Sequence, residues 1–235
     1  MFDLRGATVV VTRAAEDNAQ LLPLLRDAAD VIEFPCVRVE ALEHVAELSA
    51  AVARLGKDDW VVVTSRHGAD ALARCGRVAA RVAAIGAATG SRLEAAGIVV
   101  DFQPTAASGE RLGRELPIST GRVLLMRSDR ALPDLPRILR ERGATVDEVV
   151  AYRTLAIPPR DDSDVREALA SEAPVVLLFF SPSAVEGFVA ALGIGALARA
   201  KVLCAGSTTQ RAVLAYEPTA DVSTIEMEVA HVAHR

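Results

Sequence analysis

The sequence predicts an α/β chain of two lobes, each built on a parallel sheet, joined by a two-stranded β-linker with a cleft between the lobes. Three observations carry this. Short β-branched apolar runs alternate with amphipathic helical patterns, as in βαβ units. The alternation occurs twice along the 235 residues, with matching turns in the two halves. Two extended segments, FPCVRVEAL at 34–42 and VVAYRTLAIPP at 149–159, interrupt it at corresponding places.

In chain order, the runs ATVVVT (7–12), VIEF (31–34), WVVVTS (60–65), VAAIG (82–86) and IVVDF (98–102) predict buried strands. Between them lie the helical patterns NAQLLPLLRDA, apolar at 21, 22, 24 and 25, and GSRLEAAG, closed by a C-cap glycine at Gly97. The second half repeats the scheme: VLLMR (123–127), VDEVVAY (146–152), VVLLFFS (175–181), KVLCAG (201–206) and a last strand near ADVST (220–224). When the halves are laid together, Ser65 meets Ser181 at an offset of 116 residues, and Gly86 and Thr89 meet Gly206 and Thr209 at an offset of 120. VVVTR ending at Arg13 matches LLMR ending at Arg127, and VIEFPCVR matches VDEVVAYR. The chain is a duplicated α/β unit. If each extended segment carries the chain between lobes, residues 1–35 with 158–235 form one lobe, 41–151 the other, and 36–40 and 152–157 the linkers. A plain tandem cut near residue 119 is the alternative.

Composition narrows the function. Hydrophobic residues make up 51% of the chain, but the longest strand-like apolar run, Val175 to Phe180, is six residues, far below the roughly 20 that span a bilayer. No membrane role is expected. Asp3 and the lack of a long apolar segment with a cleavage site predict no signal peptide, and hence a cytoplasmic location. A net charge of −5 gives nucleic acid no global attraction, so any anionic ligand must be held locally. Cys36, Cys75 and Cys204 lack CxxC spacing and read as buried free thiols. His44, His67, His231 and His234 show no metal-ligand spacing, and only His67 lies near a candidate site. GxGxxG, Walker A and GxSxG patterns are absent, so no cofactor is expected.

The stretches DWVVVTSRHGADAL (59–72), AIGAATGSRLEAAGIVVDFQP (84–104), RVLLMRSD (122–129), GATVDEVVAYRT (143–154), LLFFSPSAVEGF (177–188) and AGSTTQRAV (205–213), in this order and spacing, resemble the uroporphyrinogen-III synthase family over almost the whole chain. Ala205 and Ser207 depart from the family's IGPTT turn, and Arg66 and His67 stand where many members have smaller or amide residues. The resemblance implies two flavodoxin-like lobes and cyclisation of the linear tetrapyrrole hydroxymethylbilane, which has eight carboxylates, with loss of water and inversion of the last ring. It implies no cofactor, and the instability of that substrate makes a transient encounter with hydroxymethylbilane synthase sensible; no unusually apolar surface helix stands out, so a monomer is expected.

In such a chain the carboxylates are expected beyond the carboxyl ends of the strands, where helix starts present unpaired N–H groups. The four turns there supply the candidates Thr64, Ser65 and Arg66; Gly86 and Thr89; Ser181 and Ser183; and Gly206, Thr208 and Thr209. The hydroxyls also read as ordinary helix caps, Ser183 with Glu186 forming a capping box. Arg13 and Arg127 are expected to project from strand ends toward carboxylates or solvent. The resemblance marks Tyr152, at the family's VYxT position, as the candidate proton donor to the departing hydroxyl. Packing in the linker is its other reading. A two-lobed protein that captures an anionic small molecule without chemistry is the alternative to the enzyme.

Overall fold

The computed structural model describes residues 4–19, 21–42, 45–118 and 121–224; His44, His231 and His234 lie outside the described residues. In chain order the strands are β1 (Thr8–Val11), β2 (Asp30–Glu33), β3 (Val37–Ala41), β4 (Trp60–Val63), β5 (Arg81–Ala84), β6 (Gly121–Ser128), β7 (Ala144–Ala156), β8 (Val175–Phe179), β9 (Lys201–Cys204) and β10 (Val222–Thr224). The helices are α1 (Leu21–Arg26), α2 (Val45–Ala53), α3 (Arg66–Arg74), α4 (Ala87–Ala95), α5 (Gly109–Glu115), α6 (Asp134–Glu141), α7 (Ser163–Ala170), α8 (Pro182–Leu192) and α9 (Ser207–Tyr216).

The chain divides into two compact units, Met1–Arg38 with Leu155–Arg235, and Val39–Thr154. The first unit holds a sheet ordered β10-β9-β8-β1-β2, with parallel pairing throughout. The second holds a sheet ordered β3-β7-β6-β4-β5, parallel through β7-β6-β4-β5. In the duplication β1 and β2 correspond to β6 and β7, and β8 and β9 to β4 and β5. Each sheet therefore takes two strands from one repeat and the others from the second repeat. In both, the strand order reverses at one place, between β1 and β8 and between β6 and β4. The chain crosses from one unit to the other within β3 and again within β7, and these two strands are hydrogen-bonded neighbours. Ile157 N–H donates to the Cys36 carbonyl at 2.9 Å alongside them.

The apolar runs form strands because both faces of each sheet are covered. In the second unit Val61, Val63, Leu124 and Met126 pack on one face with Leu72 and Leu93, while Trp60, Val62, Val123 and Leu125 pack on the other with Leu112 and Leu139. In the first unit Val9, Val11, Val176 and Leu178 pack with Leu22 and Leu25. Phe188 of α8 meets Phe179 and Phe34 edge-on, at centroid distances of 5.3 and 5.9 Å.

The strand expected at 98–102 shrinks to a single bridge between Ala83 and Phe102. The Asp101 carboxylate accepts the Val82 N–H at 2.8 Å, taking a donor that a backbone carbonyl would use in a full ladder, and Val99 is 75% exposed. Gly97, with φ +76°, closes α4 as expected, and the Ile98 N–H reaches back to the Leu93 carbonyl at 3.0 Å.

Candidate active site

Among the described residues, four helices start directly beyond the carboxyl ends of strands, two in each unit, and the starts are of two kinds. Ser65 follows β4 and caps α3, its hydroxyl accepting the Gly68 N–H at 3.0 Å. Ser181 follows β8 and caps α8, accepting the Ala184 N–H at 3.2 Å, with Pro182 at the first helical position. Ser183 is thus not the cap. It sits inside the first turn and is buried, so the capping box expected with Glu186 does not form.

The starts after β5 and β9 are capped by glycine and carry no side-chain cap. Gly86 is extended, and glycine is needed there for space: a Cβ would lie 2.8 Å from the Cβ of Ala107. Gly206 has φ +137°, a conformation that strains other residues. With no cap oxygen over them, the first N–H groups of α4 and α9 point outward along the helix axis, where the helix dipole favours an anion. Thr89 and Thr209 occupy the third position of these two helices and are each 4% exposed, so they are not caps. Thr208 is half-buried, and its hydroxyl accepts from Arg211 Nη2 at 3.5 Å. Thr64 is half-buried at the end of β4.

The two arginines of the duplication do not stand free at the strand ends as expected. Arg127 is 5% exposed. Its Nη1 donates to Glu148 Oε2 at 3.1 Å and its Nη2 to the Leu132 carbonyl. Burial pushes its pKa below the usual guanidinium value, an effect that Glu148 partly offsets. Arg13 donates through Nε to Asn18 Oδ1 at 2.8 Å and through Nη2 to the Asp17 carbonyl, while its guanidinium lies 4.8 Å over the Phe180 ring. Asn18 in turn donates to Glu33 Oε2 at 3.1 Å. Glu33 and Glu148 are counterparts on β2 and β7, and each also receives a helix arginine, Arg26 at 3.3 Å and Arg140 at 3.0 Å. The repeat therefore preserves a brace in which a strand-end arginine ties the loop after the first strand to a glutamate on the second. This explains the paired arginines without a ligand.

Tyr152 lies on β7 and is 9% exposed, packed in the core cluster of the second unit. A register shift between Arg127 and Ser128 sets Ser128 opposite Tyr152. The Ser128 and Thr154 hydroxyls are 3.1 Å apart, Asp129 Oδ1 accepts the Thr154 N–H at 2.9 Å, and the Asp129 N–H donates to the Tyr152 carbonyl at 3.2 Å. The ring of His67, in the first turn of α3, lies 5.4 Å from that of Tyr152. The structure thus brings together the Ser65–His67 turn, Tyr152 and a Ser128–Asp129–Thr154 network in one unit. It brings Arg13 to Phe180 beside Ser181 in the other. Sequence reasoning missed Ser128, Asp129 and Thr154, although Ser128 and Asp129 close the RVLLMRSD run and Thr154 closes VAYRT. Among the described residues no group of three or more His, Cys, Asp or Glu side chains is placed to hold a metal ion. A cavity of about 450 Å³ lies at the amino ends of β1 and β2, where Asp30, Asp164 and Glu167 make it unsuited to a polycarboxylate.

The chain matches the family described as uroporphyrinogen-III synthase HemD over residues 19–231. A porphyrin biosynthesis protein HemD of Ruminiclostridium josui is 28% identical over 239 aligned positions, covering 95% of this chain and 47% of that protein, so the chain spans about half of its length. A uroporphyrinogen-III synthase of Synechococcus elongatus is 28% identical over 199 positions, 79% of this chain and 74% of that protein. A crystal structure of a uroporphyrinogen III synthase mutant from Thermus thermophilus shares the fold with a TM-score of 0.62 at 22% identity, covering 94% of this chain and 93% of that one. The Helicobacter pylori uroporphyrinogen-III synthetase structure shares it with a TM-score of 0.57 at 16% identity, covering 92% of each chain.

Proposed function

The chain belongs to the uroporphyrinogen-III synthase family, and from that premise we propose that it converts hydroxymethylbilane to uroporphyrinogen III, eliminating water and inverting the terminal pyrrole as the ring closes. The observation that carries this reading is the pair of glycine-capped helix starts at Gly86 and Gly206, whose leading amides have no side-chain cap. They suit carboxylates on a chain with net charge −5, because the attraction is local and needs no positive surface.

In this reading Gly86, Thr89, Gly206, Thr208 and Thr209 receive acetate and propionate groups. Thr64, Ser65, Arg66, Ser181 and Ser183 shape the two serine-capped starts, where part of the donor capacity is already used. Tyr152 gives its phenolic proton to the leaving hydroxyl, which departs as water. The resulting azafulvene is attacked by the last pyrrole at its substituted carbon, and the spiro intermediate reopens with that ring reversed. The C–O bond to the hydroxyl breaks; the attack forms one C–C bond at the last ring's substituted carbon, and reopening breaks that carbon's bond to the bridge from the third ring. Closure forms a second C–C bond at the last ring's free alpha carbon, whose lost proton balances the one given by Tyr152. The protein's main contribution is orientation, because the same compound closes unaided without inversion. Arg13 and Arg127 hold the scaffold. The three free cysteines fit a cytoplasmic setting, and the chain acts as a monomer that takes its substrate from hydroxymethylbilane synthase.

The reading is tested by giving the purified chain freshly prepared hydroxymethylbilane. Consumption faster than the spontaneous closure, with the inverted isomer as product, is expected. Closure at the spontaneous rate to the uninverted isomer would refute it.

A further inference from the structure

We propose that His67 is the positioning residue for Tyr152, fixing the direction in which the phenol presents its proton; this rests on Tyr152 being the acid. The His67 and Tyr152 rings lie 5.4 Å apart at an interplanar angle of 49°, a contact made across the second unit between the first turn of α3 and the end of β7. Tyr152 also belongs to the apolar core cluster that includes Val63, Leu72 and Met126. His67 is half-buried and set one residue inside the helix start that follows β4, so its backbone is rigid.

Its rigidity has a second source. Gly68, the next residue, sits so close to β4 and β6 that an added Cβ would lie 3.1 Å from Val63 Cγ1 and 3.3 Å from the Met126 carbonyl. The helix start is therefore pressed against the two strands that flank the order reversal, which holds the backbone that carries the ring of His67 beside Tyr152. The register shift at Arg127/Ser128 and the Ser128–Asp129–Thr154 bonds hold the β7 backbone around Tyr152. Backbone and ring are thus fixed from separate elements, as a proton donor that must meet a flexible substrate requires.

The test is a double-mutant cycle on the whole chain, with kcat, KM and thermal midpoint measured for His67→Ala, His67→Phe, Tyr152→Phe and the pair His67→Ala with Tyr152→Phe. A ring contact of this kind leads us to expect kcat about three- to tenfold lower in His67→Ala with KM little changed. His67→Phe, which keeps a planar partner, should recover most of the rate, and His67→Ala should cost nothing further once Tyr152 is Phe. If Tyr152→Phe slows turnover while His67→Ala does not, the inference about His67 fails and the acid role stands. Equal losses from His67→Ala with and without the phenol, or no recovery by His67→Phe, would also overturn it. An unslowed Tyr152→Phe would overturn the acid role and this inference together. Should His67→Ala fail to fold, His67→Phe against His67→Asn provides the same comparison.

Discussion

If Arg127 is a brace, replacing it should cost stability before it costs substrate affinity. The replacement Arg127→Met keeps a stem of similar length and removes the donors. Two hydrogen bonds are lost, one to the Leu132 carbonyl and one to Glu148. The survivors decide the magnitude. Glu148 is 40% exposed and keeps Arg140 at 3.0 Å, so losing Arg127 leaves it solvated and paired, and the cost of several kcal/mol for orphaning a buried charge does not apply. The Leu132 carbonyl loses a charged donor, worth about 1.5–3 kcal/mol. Relief of the desolvation of Arg127 itself works in the other direction, so about 2 kcal/mol is expected. At about 2 °C per kcal/mol for a chain of this length, the midpoint should fall by about 4 °C. Arg140→Met, at a position 51% exposed, should cost no more than about 1 kcal/mol. Scanning calorimetry beside Michaelis–Menten kinetics separates the readings. A midpoint within about 2 °C of the parent with KM raised about tenfold would mean that the guanidinium meets substrate, and the brace would be refuted.

Tyr152→Phe should lower kcat roughly fivefold rather than abolish turnover, since an electron-rich pyrrole expels its hydroxyl with little help; an unchanged kcat would remove the proton-donor role. Thr209→Val should raise KM about fivefold, the worth of one hydrogen bond, with the melting midpoint held; a lowered midpoint with normal kinetics would make the residue structural. Burial pushes the Cys204 thiol from 9.0 up to about 12, and Cys36 is raised by the same cause. Unfolded thiols then ionise first, so stability should be level below about pH 9 and fall between there and pH 12, less steeply in Cys204→Ala. Equal slopes in parent and variant, by denaturant midpoint against pH, would contradict this. A chelator should leave the rate unchanged, and inhibition reversed by added metal would contradict the cofactor-free mechanism.

The parallel sheets were legible because runs such as WVVV and VVLLF have no polar alternation, which only a strand covered on both faces tolerates. The matched serines and glycines were legible as turns, since strand-to-helix junctions restrict residue types. Their division into serine-capped and glycine-capped starts was not. Capping depends on which residue turns the backbone, and Pro182 moves the cap from Ser183 to Ser181. The strand at 98–102 read as apolar, yet one side chain, Asp101, takes the place of a ladder acceptor. The arginines misled for a general reason: a residue beyond a strand end faces either ligand or its own loop, and only the position of Glu148, 21 residues away, decides between them. Likewise the His67–Tyr152 contact joins elements far apart in sequence and has no local signature.

The most direct test of the proposed activity couples the chain to a hydroxymethylbilane synthase fed with porphobilinogen, oxidises the products and separates type I from type III uroporphyrin by chromatography. Predominantly type III is expected, against type I in the reaction without the chain. Type I alone from a folded sample would contradict the ring-inverting cyclase.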